Sequence, residues 1–400
     1  MSVQAPRRLA MVAYTHYQTD PRCRREAELC VEAGWEVDFY ALRSSASGAA
    51  LDLRGVTLVE LDMDRYRGGS AAAYMLSYLE FLLRAMVALA RGFERRRYEV
   101  VHVNTMPDFM IFAAIWPRWR GAKLVLDIHD VMPEIYMTKF RLPADHWKIR
   151  LIRAIEVLST RLAHRVLTAE HTKAELLAEH GVSPDKIRVL LNLPDNRIFP
   201  RRHPVEDAGS TPSTEDLQLI YHGTIAHRLG LDLAIEALDR LRESYPGARL
   251  RLIGEGDHLH DLHALTSRLD LDERVSFSDA FLPIETIVPE LRAAHLAVIP
   301  TRYEVSTDYM LPTKLIEYLR LGIPSLFTPT KTIRWYFGDD CVFYLDDPTP
   351  ELIAEKIAWV CDNIHEAREI TAQLQQQFFE RYDWERHKLE YLDMLRELVG

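Results

Sequence analysis

The sequence is poor in cysteine. Four stand in 400 residues, Cys23, Cys30, Cys341 and Cys361, and no two form a CxxC pair. Free thiols in a reducing compartment are therefore expected, and a disulfide framework is not. No run of 18 uninterrupted apolar residues occurs, so no membrane span is expected. The opening MSVQAPRRLAMVAY is too short in apolar residues for a signal peptide and leads straight into a strand. A cytoplasmic protein fits these absences. Basic tracts are missing as well. The net charge of −10 is carried by the residues after 200, while residues 1–200 are slightly basic. That balance argues against a nucleic-acid partner. The more basic half suits anionic lipid or a phosphorylated acceptor. No pair of facing carboxylates with the geometry of a nucleophile is evident.

What is present is ordinary for a globular protein: 48% apolar and 27% charged residues. A chain of this length predicts two domains, each with its own core. Strands are expected at 8–14, 35–42, 56–61, 98–103, 123–129, 166–169 and 187–191. Helices lie between them, including 21–33 and a long one over 70–97. The segment 192–216, interrupted by Pro194, Pro200, Pro204 and Pro212, reads as a linker. A second series of strands follows at 219–222, 249–253, 275–278, 296–299, 325–328 and 342–345. The pattern is two open, doubly wound α/β sheets in tandem, with ligands expected at the C-terminal strand ends. The expected division is 1–195, a linker 196–216, 217–380 and a last helix over 381–400.

One stretch organises the rest: residues 300–326, PTRYEVSTDYMLPTKLIEYLRLGIPSL. A buried strand ends at Pro300, and a polar loop leads to a short helix with Pro312 at its first position. Leu311, Leu315 and Leu319 give a buried stripe, Gly322 closes the helix, and Lys314, Glu317 and Tyr318 are expected on the other face. Free amides at a helix start, from Leu311 through Thr313, together with Lys314 attract phosphate. Glu317, one turn deeper, suits a diol such as ribose. A nucleoside diphosphate satisfies both.

The string LPTKLIEYLRLGIPSL resembles the donor-site segment of glycosyltransferase family 4, retaining enzymes of the GT-B fold that use sugar nucleotides. The resemblance extends over nearly the whole chain. It implies two Rossmann-like domains facing across a cleft, with the last helix crossing back onto the first domain. In that family a Glu-x7-Glu motif spans this helix start. Its second glutamate falls on Glu317, the ribose ligand. The first, which reads the donor sugar, is replaced here by Tyr309, with Asp308 beside it. The segment YHGTIAHRLG places Gly223, Thr224 and Arg228 at a strand end, and the resemblance makes Arg228 a contact to the donor diphosphate. Gly254 and Glu255, in LRLIGEGD, border the base. In KLVLDIHDVMPE, His129 stands where the family carries a histidine against the donor sugar. The acceptor side is then His16, Asp20, Arg22, Asn104, Asp108 and Asp130.

The resemblance implies no cofactor beyond the sugar nucleotide, which is a co-substrate, and no metal. His258, His260 and His263 with Asp257 and Asp261 invite a metal reading, but only His260 and His263 share a helical face. Asp62 and Asp64, and Asp270 and Asp272, read as solvated turns. The expected activity is retaining transfer of a hexose to a hydroxyl acceptor in polysaccharide or glycoconjugate assembly. A hexose-nucleotide epimerase and a non-catalytic sugar-nucleotide-binding partner remain as alternatives. The apolar segment 71–97 with its arginine-rich end suggests either a core helix or weak contact with a membrane presenting a lipid-linked acceptor.

Overall fold

The structure, a computed structural model, describes residues 6–43, 53–66, 71–206, 209–280 and 282–400. The chain divides into two compact units: Met1–Asn192 with Glu385–Gly400, and Leu193–Trp384.

The first unit is built on seven parallel strands: β1 (Arg8–Ala13), β2 (Glu36–Leu42), β3 (Thr57–Leu61), β4 (Val100–Asn104), β5 (Lys123–Ile128), β6 (Arg165–Thr168) and β7 (Ile187–Val189). Their spatial order is β3-β2-β1-β4-β5-β6-β7. Central strands such as β4 and β5 are apolar with few breaks because helices cover both faces of the sheet. Helix α1 (Pro21–Glu32) starts where the Asp20 carboxylate accepts from the Cys23 amide at 3.1 Å. It stops before Gly34, whose φ of +88° an L-residue adopts only with strain.

Helix α2 (Ala71–Arg96) has two apolar stripes. Phe81, Ala85, Leu89 and Phe93, four apart, are buried in the core with Tyr14, Tyr40 and Val103. On the other side Leu76 and Leu83 are 67% and 61% exposed, and Leu79 and Val87 join them. The core-helix expectation therefore holds for one stripe, and the other stripe is open. By length and composition alone Ala73–Arg96 could cross a membrane, which a search for unbroken apolar runs overlooks. Its middle carries the Arg84–Glu80 ion pair at 2.6 Å, and its core stripe is already packed.

The second unit has five parallel strands: β8 (Leu217–His222), β9 (Ala248–Ile253), β10 (Val275–Phe277), β11 (Leu296–Ile299) and β12 (Ser325–Phe327). They lie in the order β10-β9-β8-β11-β12. The strand expected at 342–345 is reduced to a single parallel bridge, Phe327 to Tyr344. Two backbone hydrogen bonds flank it, Phe327 N to Phe343 O at 3.1 Å and Leu345 N to Phe327 O at 3.0 Å. In each sheet the order reverses beside the first strand, between β1 and β4 and between β8 and β11. Loops diverge there and open a crevice at the carboxyl ends of the strands, where open α/β sheets bind ligands.

Candidate functional site

In the second unit, β8 carries Tyr221 and His222 to its carboxyl end, and β11 leads through 300–312 to the helix Thr313–Arg320. Pro312 is the residue that caps this helix, with φ −63° and ψ 119°, and not its first helical residue. Its carbonyl accepts the first helical bond, from Leu315 N at 3.0 Å, and its own ψ stays extended. Among the described residues no side chain caps the helix, so the amides of Thr313 and Lys314, ahead of Leu315, are left without a cap. The buried stripe consists of Leu315, Ile316, Tyr318 and Leu319. Tyr318, expected on the open face with Lys314 and Glu317, is wholly buried because its hydroxyl has a partner inside.

That partner is His222. The Tyr318 hydroxyl accepts the His222 amide at 2.9 Å and lies 2.7 Å from His222 Nδ1. The hydroxyl's one proton goes to Nδ1, so the imidazole hydrogen belongs on Nε2. Nε2 in turn donates to Glu317 Oε2 at 2.6 Å. One carboxylate oxygen is thereby held and the other is presented. Lys314 Nζ lies 3.0 Å from the Tyr221 hydroxyl and 4.6 Å from that ring's centroid. Its stem crosses Gly223, where a Cβ would stand 3.1 Å from Lys314 Cε. Gly254 packs on the Gly223 carbonyl so closely that a Cβ there would stand 1.9 Å from the oxygen. Both glycines have positive φ, +111° and +147°. The tight backbone brings the β8 and β9 ends together beneath the lysine.

Arg228 lies in the turn His227–Leu229, part-exposed, and its side chain makes no hydrogen bond or ion pair among the described residues. Arg302 fixes this turn: its amide donates to Arg228 O at 2.8 Å, and its guanidinium forks onto Asp232 at 2.6 and 2.9 Å. Thr224 and Glu255 are exposed. Asp308 and Tyr309 sit in the turn Thr307–Tyr309 against the helix Lys331–Phe337. Thr332 donates to Asp308 O at 2.8 Å, and Lys331 Nζ lies 4.9 Å from the Tyr309 ring centroid. The histidines nearby diverge. His258 faces Asp261 at 3.1 Å, His263 faces Asp279 at 2.6 Å, and His260 is exposed.

In the first unit, strand register brings Asn104 of β4 beside Asp127 of β5, and His129 follows at the strand end. His129 Nε2 lies 3.2 Å from Asp127 Oδ2 and 3.3 Å from Asn104 Oδ1. Two acceptors at one nitrogen place the hydrogen on Nε2 and turn Nδ1 outward, on a side chain 21% exposed. Lys173 holds the His129 carbonyl at 2.7 Å and pairs with Glu170 and Asp130 at 2.9 and 3.5 Å. Asp127 is fully buried, and Arg22 Nη2 meets its two oxygens at 2.7 and 2.8 Å. Arg22, expected on the acceptor side, is thus buried in an ion pair, with Glu26 at 3.3 Å from its Nε. Asp20 is the α1 cap and His16 is part-buried.

Burial alone would raise the Asp127 carboxyl, but the Arg22 charge holds it below the usual carboxylate range. Burial, then repulsion from Asp127, pushes Glu26 up to about 7. His102, desolvated between them, falls to about 4 and is neutral. Its Nδ1 meets the Tyr391 hydroxyl at 2.8 Å, from the C-terminal helix. Among the described residues, Glu26, His102 and Asp127 alone bring three metal-capable atoms together. The guanidinium already seated on Asp127 opposes a second cation there. Asp108 is buried, which pushes its carboxyl up, with Glu156 and Asp130 adding to the effect.

His222, Asp127 and Arg302 are absent from the sequence reading. Two of them left a signal. His222 is a polar residue closing an apolar strand just before Gly223, and Asp127 is an acid inside KLVLDI.

A model of the glycosyl transferase 4-like domain matches residues 19–192, and one of glycosyl transferases group 1 matches 205–377. One component of the phosphatidylinositol N-acetylglucosaminyltransferase of Arabidopsis thaliana is 20% identical over 296 residues, 72% of this chain and 61% of that protein. The match thus spans about three-fifths of the relative's length. Sucrose-phosphate synthase from Thermosynechococcus elongatus shares the fold at a TM-score of 0.72 and 15% identity, over 98% of this chain and 99% of that one. Anabaena HepE in complex with UDP-glucose does so at 0.71 and 13%, over 97% and 99%. The two domain models fall one on each sheet, the same tandem architecture recurs in these structures, and the chain belongs to the family 4-type glycosyltransferases of GT-B fold.

Proposed function

We propose that this chain moves a hexose from a nucleoside diphosphate sugar to a hydroxyl acceptor, with retention and without a metal, in polysaccharide or glycolipid assembly. The observation that carries the reading is Glu317, oriented by His222 and Tyr318 one turn below open helix amides and Lys314. A carboxylate with one oxygen held is a preorganised acceptor for the ribose diol. The amides and Lys314, with Arg228, supply positive charge where the diphosphate leaves. Charge on that leaving group grows as the glycosidic bond breaks, so these groups act most strongly in the transition state. The departing phosphate takes the acceptor proton on the same face. His129, its ring set by Asp127, positions the sugar through Nδ1. Asp308 or Tyr309 takes the place of the family's sugar-reading glutamate. HepE was solved with UDP-glucose, which favours a uridine donor.

The acceptor we propose is lipid-linked, presented to a cytoplasmic enzyme resting on the inner leaflet. The exposed stripe of α2 supports this, and a second helix adds to it. Trp147, Leu151 and Leu158 of Trp147–Leu162 are 64%, 53% and 54% exposed at spacings of one and two turns. Both helices pack on the turn 108–114, Lys139 and Arg141 precede the second, and Lys148 and Arg150 lie in its first turn. The Arabidopsis relative is named for transfer to phosphatidylinositol, which agrees with such an acceptor.

A panel of sugar nucleotides, with and without lipid extract and with and without EDTA, tests the reading by release of nucleoside diphosphate. Acceptor-dependent release with one donor, unaffected by EDTA, is expected. An epimerised nucleotide sugar, or binding without turnover, overturns it.

A further inference from the structure

We infer that the second unit carries an oxyanion-binding site, for a phosphate-bearing molecule, at the sheet edge opposite Glu317. A cavity of about 140 Å³ opens where β11 and β12 begin, lined by Arg202, Arg292 and Arg368. At about 30 Å³ per water, it has room for a phosphate group. The argument is one of charge. Arg368 is 8% exposed, and among the described residues its Nη2 donates only to the carbonyls of Gly209 and Ser210, at 3.3 and 2.7 Å. Arg202 Nη1 donates to Arg292 O at 3.1 Å, and Arg292 is exposed. Among the described residues none of the three pairs with a carboxylate, and none lining the cavity is acidic. His295 is satisfied on both sides, by Gln218 N at 3.0 Å and Ser210 Oγ at 2.8 Å, and adds no acceptor.

Two helix ends account for part of this charge. Ile284–Ala293 and Thr313–Arg320 both finish at the cavity wall. Each contributes about half a negative charge, so three guanidiniums leave a net of about +2. The carbonyls of the second helix are already taken, since Gln375 Nε2 donates to Leu319 O and Arg320 O at 2.8 and 3.2 Å. A largely buried guanidinium held by neutral carbonyls alone is stabilised further when an anion completes it. Burial and the neighbouring Arg202 both lower the Arg368 pKa, as expected of a cation lacking its partner. Guanidinium forks lining one cavity suit an oxyanion, phosphate among them.

The test is isothermal titration of the full chain with inorganic phosphate, then with a hexose monophosphate, at constant ionic strength. Arg292→Ala, at an exposed position, and Arg368→Gln are each expected to weaken phosphate binding at least fivefold while nucleoside diphosphate still binds. Lys314→Ala is expected to do the reverse. Tighter binding of the sugar phosphate identifies a phosphorylated metabolite as the ligand, and equal affinities identify the free ion. Unchanged affinity in Arg292→Ala, or loss of phosphate binding in Lys314→Ala alone, overturns the inference by placing the anion at the donor site.

Discussion

Replacing Glu317 with alanine separates a ribose contact from general damage. The carboxylate is fixed before any ligand arrives, with Oε2 at 2.6 Å from His222 Nε2 and that ring set by the buried Tyr318 hydroxyl. Binding then costs the side chain little rotamer entropy, and the contact should deliver most of its energy. A hydrogen bond to a charged group contributes about 1.5–3 kcal/mol, which is roughly 10- to 150-fold in affinity. The mutation also strands the His222 Nε2 hydrogen on a side chain 6% exposed. That destabilises free and bound protein alike and does not enter the binding constant. The assay is titration calorimetry of UDP and of its 2′,3′-dideoxy analogue against the parent and Glu317→Ala. The parent should lose on removing the hydroxyls the same factor it loses on removing the carboxylate. The variant should not distinguish the two ligands, so the double-mutant cycle has a large coupling term. If Glu317→Ala prefers UDP over the analogue as strongly as the parent does, Glu317 does not touch the ribose and the donor site is misplaced.

Lys314→Ala should lower kcat by more than it raises the donor KM, because diphosphate charge grows as the bond breaks; an equal loss in ground-state donor binding refutes the leaving-group role. Glu26, pushed up to about 7 by burial and Asp127 from an ordinary 4.5, keeps a proton that the unfolded chain releases. Stability should therefore fall as pH rises between those two values, and Glu26→Gln should flatten that slope in urea denaturation; a variant with the parental slope sinks the assignment. Sedimentation with anionic liposomes should be weak and salt-sensitive, each basic residue adding about 1 kcal/mol. Leu83→Ser with Trp147→Ser should abolish it, and sedimentation indifferent to lipid charge argues for a soluble enzyme.

Most of the fold is legible in the sequence because parallel strands buried on both faces form short apolar runs between helices. β5 and β11 need nothing more. The strand at 342–345 has the same composition but only one bridge, since composition reports burial and not hydrogen-bonded neighbours. Lys314 and Glu317 are legible because the helix and their spacing within it are local, although Pro312 caps the helix and does not begin it. Tyr318 is misread for the opposite reason. Spacing puts it beside Glu317, and only the backbone of β8, 96 residues away in sequence, explains why its hydroxyl turns inward.

His222 and Asp127, which escape a sequence reading, share one physical feature. They act on a neighbour through a buried polar bond. Glu317 is set by His222, and His222 by Tyr318; His129 is set by Asp127, and Asp127 by Arg22. In both units the outer member, Glu317 in a short helix and His129 just past a strand end, can meet solvent, while its partners are buried. A buried donor or acceptor left unpaired costs about 1–3 kcal/mol, more for a charge. Each inner residue therefore has only one favourable arrangement, and it passes that constraint outward. A rotamer fixed by packing positions a reacting group more sharply than one free in a loop. Burial of the inner residues thus serves the orientation of the outer ones, and a polar residue interrupting an apolar strand just before its end is the trace it leaves in sequence.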